Sequence, residues 1–181
     1  PNPASFLREI VVVTWTHAAP GRSGSFVLTE EANVRRDRFF FGISRKFDLA
    51  KSLRWTLQKR VELGAGSASR IVSRNNSMRP PLAPLEFLDY NSSEDTDIIQ
   101  EYYVPVENFV PFMDRFRALL AGRMNVLSST VRYVSANAMP TLAYAPTRPV
   151  FAIIQMSNVG LSPEAQAHAE RVTQQLVDAA I

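Results

Sequence analysis

The chain contains no cysteine in 181 residues, which excludes a disulfide framework, a thiol nucleophile and a zinc–thiolate site. The absence fits a reducing compartment, and a cytoplasmic location is the expectation. Histidine is nearly missing as well. His17 adjoins a turn and His168 falls in a helical stretch beside Gln166 and Glu170, so neither shares metal-ligand spacing with the other or lies near a nucleophile in sequence. Glycine is scarce at seven residues, with no GxGxxG word and no phosphate-binding loop. The nearest stretch, Gly64 to Ser69, follows a helical pattern instead of a strand. No apolar run approaches the ~18 residues of a membrane helix. Ile10 to Trp15 is too short to span and lacks the basic flank and cleavage pattern of a signal peptide.

What is present is the composition of a soluble globular domain, 46% apolar and 20% charged, in a chain long enough for one core. The net charge of +3 hides a division. Residues 35–79 carry twelve Lys or Arg against three acids, and residues 80–181 carry six against eleven. The basic stretch is interleaved with Phe39, Phe40, Phe41 and Trp55, but it lacks the glycine-aromatic signature of an RNA-recognition strand. It therefore reads as a face attracted to the acidic half or docking onto another domain, with no nucleic-acid partner and no membrane span.

Strand and helix signals alternate along the chain. Glu9–Thr16, Ser25–Glu30, Arg38–Ser44 and Ala68–Arg74 have strand character, with a Pro-Gly turn region between the first two. Asp48 caps a helix whose Leu49, Leu53, Leu57 and Val61 recur every fourth residue. A second helix is expected from Glu107 or Asn108 to about Gly122, with Phe109, Phe112, Met113, Phe116, Leu119 and Leu120 on one face. Asn125–Ser135 and Val150–Ser157 read as strands. The last helix opens with Ser162 as cap, Pro163 at the first position and Glu164 at the positive end of the dipole. The second half thus runs strand, helix, strand, strand, helix. That order predicts an α+β, ferredoxin-like layer: a mostly antiparallel sheet with helices packed on one face and the other face open to a ligand or partner domain.

The richest stretch is Arg74 to Phe109. Its centre, Ile98 to Pro105, is a β-branched and aromatic strand ended by a proline. Alternation places Gln100, Tyr102 and Val104 on one side, toward the helices, and Glu101 and Tyr103 on the other. The words SRNNSMRPP (Ser73–Pro81), TDIIQEYYVPVENFVPFMD (Thr96–Asp114), VRYV (Val131–Val134) and LAYAP (Leu142–Pro146), with LTEE (Leu28–Glu31) and SRKFDLAKSLRW (Ser44–Trp55) before them, resemble in their order the substrate-binding, or cap, domain of FAD-linked oxidases of the vanillyl-alcohol-oxidase type. The similarity runs over most of the chain. It implies that residues 1–181 form a single cap domain, a piece of a larger two-domain flavoprotein. FAD would be held mainly by an N-terminal flavin-binding domain of the same polypeptide, and the open sheet face would close over the flavin ring as the roof of the substrate pocket. The start at Pro1 and the end at Ile181, directly after a helical pattern, agree with that expectation.

The candidate catalytic residues are Glu101 and Arg132, a carboxylate and a guanidinium able to bind a hydroxylated substrate and to stabilise charge developing during hydride removal. A structural ion pair at a sheet surface would use the same residues. Tyr103, Arg74, Asn75 and Asn76 are candidate substrate contacts. Asn-rich words before prolines are also ordinary turn chemistry, and the run could fasten the cap to its flavin domain. The phenols of Tyr133 and Tyr144 are open between site and core. The expectation is the substrate-binding domain of an FAD-dependent oxidoreductase acting on an alcohol of polyol or sugar-like type, inactive alone. The alternative is a stand-alone ferredoxin-like module binding a small molecule or a protein.

Overall fold

The computed structural model describes residues 3, 5–22, 24–30, 34–65, 71–78, 92–139, 143 and 145–180. The chain divides into two compact units, Asn2–Asn91 and Ser92–Ile181.

The first unit holds three helices, α1 (Val34–Ser44), α2 (Asp48–Ala65) and α3 (Arg74–Met78). The strand expected over Arg38–Ser44 is therefore part of a helix. Three adjacent phenylalanines carry no period, and burial decides the conformation: Phe41, Ser44 and Arg45 turn inward at helical spacing. The Ser44 hydroxyl donates to the Phe40 carbonyl at 2.6 Å. The Phe41 ring lies 4.8 Å from the Arg45 guanidinium and 4.9 Å from that of Arg54. Burial pulls the Arg54 guanidinium down to about 10, Arg45 adds to the shift, and Asp37 opposes it. Along α2 it is Ala50 that is buried, while Leu49, Leu53, Leu57 and Val61 are exposed.

Glu9–Thr16 and Ser25–Glu30 form no strand. Strand propensity is realised only against a ladder partner, and the first unit contains no sheet among its described residues. Side chains anchor both segments instead. Glu9 accepts from the Trp55 indole at 3.0 Å and from Lys59 Nζ at 2.6 Å, and these two contacts hold its carboxyl below the usual carboxylate range. Of the strand expected over Ala68–Arg74, residues 68–70 lie outside the described residues, Ile71–Ser73 are irregular, and Arg74 opens α3. Gly24 abuts this segment so closely that a Cβ there would stand 2.6 Å from the Ser73 nitrogen. The Arg79–Pro84 loop, Glu31 and Tyr144 also lie outside the described residues.

The second unit is α+β, with a three-stranded antiparallel sheet and helices packed against it. Its elements are β1 (Asp95–Pro105), a 3₁₀ turn (Val106–Asn108), α4 (Phe109–Leu120), β2 (Asn125–Val134), β3 (Val150–Gly160) and α5 (Pro163–Ala180). The sheet order is β1-β3-β2, both outer strands antiparallel to β3. The outer strands are therefore parallel to each other, and α4 is the crossover, as in a ferredoxin-like β-α-β-β-α unit. Gly122, at φ +68°, lies just past the end of α4, where the left-handed region suits glycine. The start of α5 is capped by Ser162, whose hydroxyl accepts from the Ala165 N–H at 3.2 Å.

The core lies between the helices and one sheet face. Phe112, Phe116, Leu119 and Leu120 of α4 and Ala169, Val172 and Leu176 of α5 are buried, as are Tyr102, Val104 and Ile153 of the sheet. The Tyr102 ring is edge-on to Phe116 at 6.2 Å and tilted to Phe112 at 5.7 Å. A polar row crosses this face too: Gln100 pairs with Gln155, and Gln155 with Ser129. Gln100 donates to Thr173 of α5 at 2.7 Å, and Gln155 to Ser157 at 2.6 Å. Among the described residues no helix is long and apolar enough to cross a membrane.

Candidate functional site

The face of the sheet turned away from the helices carries Ile99, Glu101 and Tyr103 from β1, Ala152, Ile154 and Met156 from β3, and Ser128, Thr130 and Arg132 from β2. Two rows matter. Tyr103 pairs with Ala152, and Ala152 with Arg132; one step along, Glu101 pairs with Ile154, and Ile154 with Thr130. At the ordinary strand spacing, the backbones of Tyr103 and Arg132 stand about 10 Å apart across Ala152. A phenol and a guanidinium therefore flank one methyl group, itself buried as is Met156 on the same face, with an exposed carboxylate on the adjacent row.

Arg132 reaches this face because of a bulge. Asn125 opposes Asn158 and Val126 opposes Ser157, but the next paired residue, Ser128, opposes Met156. Leu127 is the extra residue, and it is fully buried with Val126 beside it. Were β2 paired without a bulge, with Leu127 opposite Met156, the even-numbered residues of β2 would all face the helices. With it, Arg132 turns to the open face, while Val131 and Tyr133 take the helix side, Tyr133 meeting Phe151 at 5.8 Å. Bulges recur beside functional sites because they re-aim side chains in this way.

Glu101 and Arg132 share one face but belong to strands separated by β3, so they are not cross-strand neighbours. Glu101 is exposed and Arg132 and Tyr103 are half-buried. At the far end of the same face the Asn158 amide donates to Asp97 at 2.9 Å and to Asp95 at 3.3 Å. On the opposite face the Tyr102 hydroxyl and Gln155 Oε1 are buried with no hydrogen-bond partner, and burial pushes the Tyr102 phenol up to about 12.

Arg74, Asn75 and Asn76 belong to the other unit. Arg74 and Asn75 are exposed on α3. Asn76 is engaged with its own unit: its amide donates to the carbonyls of Val27 at 2.9 Å and Ser25 at 3.4 Å, and its oxygen accepts from the Thr29 N–H at 3.0 Å. Those bonds tie the 25–29 segment to α3. Ala152 and Leu127 do not stand out in the sequence, although a signal for the bulge exists. Val126 and Leu127 are adjacent and apolar, and the apolar parity changes from Val126 to Val131 and Tyr133.

No protein-family model, no curated protein and no solved structure matches the chain.

Proposed function

We propose that this chain is the substrate-binding domain of an FAD-dependent oxidoreductase that oxidises an alcohol of polyol or sugar-like type, with its open sheet face forming the substrate side of the site. The supporting observation is the bulge at Leu127, which brings Arg132 onto the face that Glu101 and Tyr103 share, in one row with Tyr103. The bulge also serves the core, since Leu127 is fully buried, and it leaves Val131 and Tyr133 exposed on the helix side while Arg132 takes the other face. The order of the words from Ser73 to Pro146 adds the resemblance to FAD-linked oxidases.

The residues suit a substrate-side role better than a dinucleotide cradle. Two of the described glycines with positive φ sit at a turn, Gly21, and past a helix end, Gly122, and neither opens a helix that could receive a pyrophosphate. In this reading FAD is held by an N-terminal flavin-binding domain of the same polypeptide, and when bound it accepts the hydride. Arg132 then donates hydrogen bonds to a substrate oxygen and stabilises negative charge that develops there. Glu101, one row along, accepts a hydrogen bond from that same hydroxyl and takes its proton as its carbon gives up the hydride. A reducing, cytoplasmic setting belongs to the same reading, supported by the lack of cysteine.

The test is the visible absorption spectrum of the protein expressed from the complete open reading frame, beside that of residues 1–181. A flavin band in the former and none in the latter is expected. No flavin in either removes the oxidase reading and favours a ferredoxin-like module that binds its ligand on the same open face.

A further inference from the structure

The two outer strands of the sheet differ in how they meet solvent. β1 contains Asp95, Asp97 and Glu101 and ends in Pro105, the charged, proline-bearing make-up that discourages strand addition at an edge. Past its bulge, β2 reads Ser128 to Val134 with no acid, no lysine, no proline and a single arginine. Among the described residues, no strand or loop backbone pairs with its outer side. On the helix side the same stretch presents Val131, 38% exposed, and Tyr133, 59% exposed. An added strand would lie directly beside both.

We propose that this edge is a self-association site, occupied by β2 of a second copy of the chain added antiparallel about a two-fold axis. The sequence of the edge is complementary to itself. In a register centred on Val131, the helix side sets Val131 against Val131 and Ser129 against Tyr133, and the open side sets Thr130 against Arg132 and Ser128 against Val134. No charge directly faces a like charge. The two Arg132 side chains lie on the diagonal, at the longer cross-strand distance. Such a contact is isologous and closes on itself, and it joins two three-stranded sheets into one of six strands. It covers the apolar side chains of Val131 and Tyr133 and supplies partners to the outward N–H and C=O groups of both copies. β1 offers no comparable match: antiparallel self-pairing centred on Ile99 would set Asp97 against Glu101. The inference is independent of the flavin reading, since it uses the strand's edge and not the chemistry of its open face.

Sedimentation equilibrium of the full chain tests it, with Val131→Lys and Tyr133→Lys alongside and circular dichroism as the control for folding. Both substitutions fall at partly exposed positions, so the fold should tolerate them. The expected result is twice the chain mass for the unsubstituted protein and a single chain mass for each lysine variant with its circular dichroism unchanged. A single mass for the unsubstituted protein, or a dimer that survives both lysines, overturns the proposal. Should a variant fail to fold, amide exchange of the unsubstituted protein decides: protection of residues 128–134 that rises with protein concentration supports the contact, and protection independent of concentration contradicts it.

Discussion

Tyr102 shows how one residue can serve packing while its polar atom works against the fold. Its ring is held by Phe112 and Phe116 in the centre of the second unit, yet its hydroxyl is buried without a partner. A buried unsatisfied hydroxyl is destabilising, and its removal with the ring retained relieves that cost. Tyr102→Phe is expected to leave stability unchanged or to raise it by up to about 1 kcal/mol, measured by urea unfolding. Its pH dependence follows from the sign of the shift. The folded pKa of about 12 lies above the ordinary phenol value of 10.0, so the folded state keeps a proton that the unfolded state releases. This contribution is complete below pH 10 and declines as pH rises from 10 toward 12. The decline should be shallower in Tyr102→Phe; identical alkaline profiles would show that the phenol is not buried in solution.

At the scale of the element, the legible parts were those in which local pattern and packing agree. Ser162-Pro163-Glu164 marked the start of α5, and the apolar face of α4 was readable from Phe112 to Leu120. The alternation along β1 correctly sent Tyr102 and Val104 to the helices and left Glu101 and Tyr103 on the other face. The α1 helix was hidden because adjacent phenylalanines have no period. The segments over Glu9–Thr16 and Ser25–Glu30 were misleading because strand propensity needs a partner strand, which a window of sequence does not contain. The position of Arg132 depended on one inserted residue and on knowing that β3 runs between β1 and β2, a fact of topology. Deleting Leu127 tests that it is the extra residue. Ser128 then follows Val126 directly and still opposes Met156, so the register beyond it and the ring-to-ring NOE contacts of Tyr133 with Phe151 should be kept. Loss of those contacts would show that Leu127 takes part in the pairing and that the register beyond it depends on its presence.

For the whole molecule, the second unit supplies a complete division of labour on a three-stranded sheet. One face is closed by α4 and α5 around a core of Phe116, Leu120, Ile153 and Leu176. The other carries Tyr103, Ala152 and Arg132 in a row and Glu101 beside them, with Glu101 exposed and Ala152 and Met156 buried. The first unit carries most of the basic residues and holds its segments together through Asn76, Glu9 and Trp55. The measurement that tests the account most directly is the anaerobic rate of flavin reduction in the full-length protein with a panel of polyols and aldoses, comparing Arg132→Ala with Val131→Ala. These neighbours share a strand and differ in face. The account predicts that Arg132→Ala slows reduction by about 10²-fold or more while Val131→Ala leaves it unchanged. Equal effects of the two substitutions, or an Arg132→Ala variant as fast as the unsubstituted protein, would contradict the assignment of the open face to substrate.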